Sequence, residues 1–110
     1  MPLRIDHVGI ACSDLARSLE FYTSLLEGTA EQRAGHTVIT AGALRLALVP
    51  RETDAPRATD RGHHLALRAP SEDRPALLAR LLALGAHWED VRGRVYTLDP
   101  DGFVLEFLFE

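Results

Sequence analysis

Three side chains, His7, His64 and Glu106, form a set able to do chemistry. Two imidazoles and a carboxylate suit a divalent first-row ion, and a facial arrangement leaves positions open for substrate oxygens. His7 lies in Asp6-His7-Val8-Gly9-Ile10-Ala11, and His64 lies in the similar run His63-His64-Leu65-Ala66-Leu67-Arg68, 57 residues later (7 to 64). Gly28 and Gly85 keep the same offset. A likeness held in register over more than twenty residues marks a duplicated unit.

Strand periodicity assigns the faces. Successive side chains alternate, so Val8 and Ile10 oppose His7, Gly9 and Ala11, while Leu65 and Leu67 oppose His64, Ala66 and Arg68. In the last run, Leu105, Phe107 and Phe109 oppose Val104, Glu106 and Leu108. Burying a lone carboxylate there costs on the order of several kcal/mol unless it is paired or metal-bound. Plain alternatives stay open at this point. A strand histidine is commonly a hydrogen-bonded core residue, and an arginine such as Arg45 would also satisfy Glu106.

The elements that position these residues follow from spacing. After Ser13 and Asp14, suited to a helix start, Leu15, Leu19, Tyr22, Leu25 and Leu26 recur at three and four residues, and Gly28 is placed to end the helix. In the second half Ser71, Glu72 and Asp73 precede Pro75, tolerable in a first turn. Leu77, Leu78, Leu81, Leu82 and Leu84 form the expected buried side, closed by Gly85. β-like runs follow each helix: 31–33, 37–40 and 43–49, then 87–91, 95–98 and 103–109, with Asp99-Pro100-Asp101-Gly102 as a turn. Each half therefore reads β-α-β-β-β. The fold class is α+β: two βαβββ modules forming a curved mixed sheet that closes a cavity. The expected organisation is one domain, 1–110, of modules 1–49 and 62–110. Residues 50–62, polar and Pro-containing, form a linker able to span on the order of 40 Å.

Composition narrows the partners. The chain has 110 residues, 46% hydrophobic, with a net charge of −4, and every basic side chain is Arg. No basic stripe favours nucleic acid. No run approaches the ~18 apolar residues of a membrane span, and the start MPLRIDH lacks a signal-like apolar stretch. A single cysteine, Cys12, forms no intrachain disulfide and reads as a small buried residue. A cytoplasmic protein is the expectation. Small size favours oligomerisation, so a homodimer is expected, with the site in one chain or shared between two. His36, His63 and His87 read as structural or exposed, and Trp88 as a core or interface anchor.

The runs IDHVGIACSDLARSLEFY, GHHLAL and LDPDGFVLEF resemble the vicinal-oxygen-chelate superfamily, which includes glyoxalase I, extradiol dioxygenases, fosfomycin-resistance proteins and bleomycin-resistance proteins. The likeness covers nearly the whole chain. It implies that His7 and His64, the latter rather than His63, are the first-strand ligands of the two modules. It likewise implies that Glu106 is the last-strand carboxylate, around one divalent ion (Fe, Mn, Ni or Zn). The fourth position, a glutamate in glyoxalase I, falls on Ala47, which argues against that activity. The triad left is like that of extradiol dioxygenases and fosfomycin-resistance proteins. The superfamily supports many reactions on one scaffold.

Two further residues face the substrate in this reading. Arg45 shares parity with Ala47 and would offer a charge-assisted bond to an anion. Tyr96 resembles a tyrosine that contacts substrate in fosfomycin-resistance proteins, and would give a proton or a hydrogen bond. Their plain alternatives are an ion pair with Glu106 for Arg45 and a cavity wall for Tyr96. Gly9 and Ala66 leave room beside the histidines. The expected function is a metal-dependent enzyme acting on a small oxygen-rich substrate by bidentate chelation (dioxygenase-, lyase- or fosfomycin-resistance-like). The alternative is a metal-independent protein that sequesters a drug or metabolite, as bleomycin-resistance proteins do.

Overall fold

A computed structural model describes residues 1–33, 35–51 and 63–110. By its contacts the chain divides into two compact units, Met1–Asp54 and Ala55–Glu110. Most of the expected linker, residues 52–62, lies outside the described residues.

The first unit runs β1 (Val8–Cys12), α1 (Leu15–Leu26), β2 (Thr29–Arg33), β3 (His36–Ala41) and β4 (Leu44–Pro50). Its four-stranded sheet has the order β1-β4-β3-β2, with β1 parallel to β4 and the other pairs antiparallel. The second unit repeats this: β5 (His64–Ala69), a 3₁₀ turn at Ser71–Asp73, α2 (Arg74–Ala83), β6 (Trp88–Val91), β7 (Arg94–Leu98) and β8 (Val104–Phe109), in the order β5-β8-β7-β6. The fold is α+β with two βαβββ modules, as the repeat requires. The two sheets are separate, and neither closes into a barrel.

Helix α1 starts at Asp14, whose carboxylate accepts the Arg17 N–H at 3.1 Å. Its buried face is Ser18, Phe21, Tyr22 and Leu25, packed on β3 and β4, where Ile39, Leu46 and Leu48 are at most 1% exposed. Burying each such aliphatic side chain contributes about 1.5–3 kcal/mol. Leu15, expected inside, is 43% exposed, and Phe21 takes its share of the stripe. In α2 the buried residues are Leu77 and Leu81. Leu82 is 79% exposed, because at about 100° per residue it lies far around the helix from Leu77. Cys12 is buried, as expected.

The helix ends correct one expectation. Both close with the same bond pattern: Gly28 N–H donates to Thr23 O at 3.1 Å, and Ala86 N–H to Leu81 O at 3.0 Å. Gly85 supplies the left-handed residue in α2 (φ 67°), but in α1 that residue is Glu27 (φ 51°), not Gly28. Gly28 is needed for a different reason. A Cβ there would meet Ile39 Cγ2 at 2.6 Å and Thr40 O at 3.1 Å.

The turn before β8 sets the register that matters most. Asp99 is 5% exposed, and its Oδ1 accepts the N–H groups of Asp101 (2.9 Å) and Phe103 (2.8 Å). That clamp fixes Leu98 opposite Val104, and hence Tyr96 opposite Glu106. Asp99→Ala leaves two backbone donors without this acceptor and is expected to cost about 1–3 kcal/mol. A urea midpoint equal to wild type would show that the carboxylate clamps nothing.

Candidate functional site

In the second unit, the face of the sheet carrying Glu106 gathers the polar side chains. Glu106 pairs across the ladder with Ala66 on one side and Tyr96 on the other. Glu106 is 3% exposed, with Oε1 at 2.9 Å from His64 Nε2 and Oε2 accepting from Arg94 Nη1 at 3.1 Å. The His64 and Tyr96 rings meet edge-on with centroids 6.1 Å apart. His64 opens β5, and its side chain is 29% exposed. The sequence alternative for Glu106 named Arg45; the arginine bonded to it is Arg94.

In the first unit, His7 stands one residue before β1 rather than inside an apolar strand, because the β1–β4 ladder begins at Val8 and Leu46. Its Nδ1 donates to Asp6 Oδ2 at 2.8 Å. An ionised carboxylate only accepts, so this bond places an imidazole proton on Nδ1 and orients the ring. The Asp6 carboxyl is held below its ordinary range, first by the hydrogen bond and charge of His7, then by the charges of Arg45 and Arg33. Arg45 NH1 lies 3.9 Å from Asp6 Oδ1. Asp6, His7, Arg33, His36, Val38, Arg45 and Ala47 line a cleft of about 210 Å³. Arg45 and Ala47 do share a face, as parity requires. His36, expected to be structural or exposed, is exposed and lines this cleft too, a placement the sequence reading did not assign. The visible signal was its even spacing from Val38 in a strand running beside Ala47.

The structure thus brings His64, Glu106 and Tyr96 together in one unit, and His7 and Arg45 together in the other. Among the described residues, neither unit alone gathers three His, Cys, Asp or Glu side chains suited to a metal. The donor chemistry of the second unit does fit an ion. An imidazole nitrogen and a carboxylate oxygen are both donors that a first-row ion accepts. Nε2 of His64 and Oε1 of Glu106 stand at 2.9 Å. A Cβ added at Gly9 would meet nothing within 4 Å, so the space beside its strand is open.

A family model for the Glyoxalase/Bleomycin resistance protein/Dioxygenase superfamily matches residues 4–107. The chain belongs to this superfamily. Solved structures agree on the fold. The fosfomycin resistance protein FosX from Mesorhizobium loti is 18% identical, with a TM-score of 0.84 over 100% of this chain and 94% of that one. A variant of FosX from Listeria monocytogenes, complexed with Mn(II) and 1S,2S-dihydroxypropylphosphonic acid, is 19% identical, with a TM-score of 0.79 over 97% and 90%. An integron cassette protein from the mobile metagenome of a Halifax Harbour sewage outfall is 20% identical, with a TM-score of 0.76 over 94% and 96%. No curated protein gives a significant sequence match. No described helix is long and apolar enough to cross a membrane.

Proposed function

We propose that the protein is a divalent-metal enzyme of the vicinal-oxygen-chelate type, acting on a small oxygen-rich substrate, with His7, His64 and Glu106 as its ligands. The observation that carries this reading is Glu106: a residue 3% exposed on a strand, whose carboxylate stands 2.9 Å from the other donor of its unit, His64 Nε2. Asp6 supports it by orienting the His7 ring through Nδ1, with Nε2 turned away from that bond. The reading requires His7 to complete the shell, from the same chain or from a second copy in a homodimer. A bound Fe, Mn, Ni or Zn ion would supply Lewis acidity to two substrate oxygens. Tyr96, beside His64, is the residue placed to hand a proton or hydrogen bond to substrate, and Arg45 to hold an anionic group. Mn(II) in a fosfomycin-resistance relative makes manganese and a phosphonate-bearing substrate the first pair to try.

A second reading has its own support. Glu106 is already held by His64 and Arg94, so the carboxylate is satisfied by protein groups alone. The protein would then bind a small molecule without chemistry.

Metal analysis of protein purified without chelator separates the two. The enzyme reading expects about one equivalent of a first-row ion per site, lost in His64→Ala and in His7→Ala. A wild type that holds no ion after incubation with Mn(II), Fe(II), Ni(II) and Zn(II) in turn, yet binds a ligand, establishes sequestration instead.

A further inference from the structure

We infer that the cleft on the first sheet is an oxyanion-binding subsite, in which an external phosphate-like group takes the place of a carboxylate that the second unit supplies from its own chain. The two copies of the repeat can be superposed through their ladders. Gly9 pairs with Ala47 in the first unit as Ala66 pairs with Glu106 in the second, and Val38 pairs with Ala47 as Tyr96 pairs with Glu106. Ala47 is therefore the counterpart of Glu106, Val38 of Tyr96, and His36 of Arg94.

In the second unit a cation beside this position is balanced by the buried carboxylate, at 3.1 Å. The first unit carries imidazoles, His7 and His36, where the second has His64 and Arg94, adds two guanidiniums where the second has Val91 and Val104, and lacks that acid. Its cleft is lined by two guanidiniums, Arg33 and Arg45, and by two imidazoles, His7 and His36, against one carboxylate, Asp6. Asp6 is committed mainly to His7, at 2.8 Å, and meets Arg45 only at 3.9 Å. Glu31 holds Arg33 through Nε, the inner edge of that guanidinium, at 2.7 Å.

The floor of the cleft, Ala47 and Val38, is apolar and small, so the space that a glutamate side chain would fill is open. Guanidinium forks with neutral floors suit an acceptor of several oxygens better than a point charge. At about 210 Å³ the cleft is smaller than the roughly 300 Å³ of a site for a whole drug-sized ligand. It admits one end of a substrate. The chemical class is a small oxyacid whose phosphate, phosphonate or sulfate group enters this cleft.

That this group belongs to the substrate of the metal site rests on the function proposed above. The existence of the anion site does not, and it is tested with metal removed. In EDTA-treated protein, inorganic phosphate is titrated by 31P line broadening and by calorimetry, with chloride as the competing anion control. Wild type is expected to bind phosphate saturably, and Arg45→Ala and Arg33→Ala each to weaken it at least tenfold. Ala47→Glu restores the missing acid and is expected to abolish phosphate binding. Circular dichroism melts confirm that each variant is folded, and if Ala47→Glu is not, the two arginine variants decide alone. Absence of saturable binding in wild type, or affinity unchanged in both arginine variants, overturns the subsite. Phosphate binding in a protein that takes up no metal supports the subsite and overturns the metal-enzyme reading instead.

Discussion

Glu106→Gln is expected to remove metal-dependent stabilisation while leaving the metal-free protein folded and close to wild type in stability. The substitution keeps the shape of the side chain, its amide oxygen still accepts from Arg94 and its NH2 donates to an unprotonated His64 Nε2, but it removes the negative charge that an ion needs. Breaking a buried ion pair costs about 3–5 kcal/mol when a charge is stranded inside. Here the remaining cation, Arg94, is 54% exposed and water receives it, so the cost is far smaller. In wild type, free metal at a hundredfold excess over Kd adds about 2.7 kcal/mol. At about 4–8 °C per kcal/mol for a domain of this size, that raises the melting temperature by roughly ten to twenty degrees. Paired thermal melts with Mn(II) and with EDTA read both numbers. An equal metal-dependent rise in the variant would remove Glu106 from the ligand set. A collapse of the metal-free variant would show that the His64–Glu106–Arg94 group is there for stability alone.

The end of α1 yields two substitutions of opposite sign at adjacent residues. Gly28→Ala pushes a methyl to within 2.6 Å of Ile39 Cγ2. Ile39 is 1% exposed and branched at Cβ, so that methyl sits close to the backbone and has no free rotamer to escape into. Overpacking of this kind costs about 1–3 kcal/mol. Glu27→Gly instead relieves a left-handed residue at φ 51°, and is expected to gain up to about 1 kcal/mol. Denaturant midpoints should therefore move in opposite directions. If Gly28→Ala is neutral, the close approach of α1 and β3 is looser than the 2.6 Å contact implies.

These two residues also show where sequence reasoning reaches and where it stops. Helical spacing and the paired glycines were enough to find both helices and both β-α-β-β-β units. They did not reveal that one glycine serves backbone conformation (Gly85) and its repeat-mate serves packing (Gly28), because both requirements select the same residue. Alternation assigned the faces of Gly9, Ala47, Ala66 and Glu106 correctly, since period two needs no knowledge of neighbours. Lateral neighbours need register. Arg94 was missed as the partner of Glu106 because only the Asp99 clamp, not the composition of β7, sets which residues of β7 lie beside Glu106. His36 was read as structural or exposed, and it is exposed; that it lines the cleft beside Ala47 depends likewise on register, here of β3. Leu82 failed as a core residue because an apolar run longer than one helical face must leave some of its members outside.

In both units the first strand returns to the last strand of the same unit: Val8 lies opposite Leu46, and His64 opposite Val104. The longest loops that these parallel ladders must close are thus about forty residues, set by half the chain. Closing a loop over the full length would cost roughly 1 kcal/mol more in chain entropy each time. The leading half contains every strand of its own sheet, so nothing in that ladder waits for the trailing half to be synthesised. Duplication has doubled the surface on which ligands can be presented without lengthening the search that folding must make.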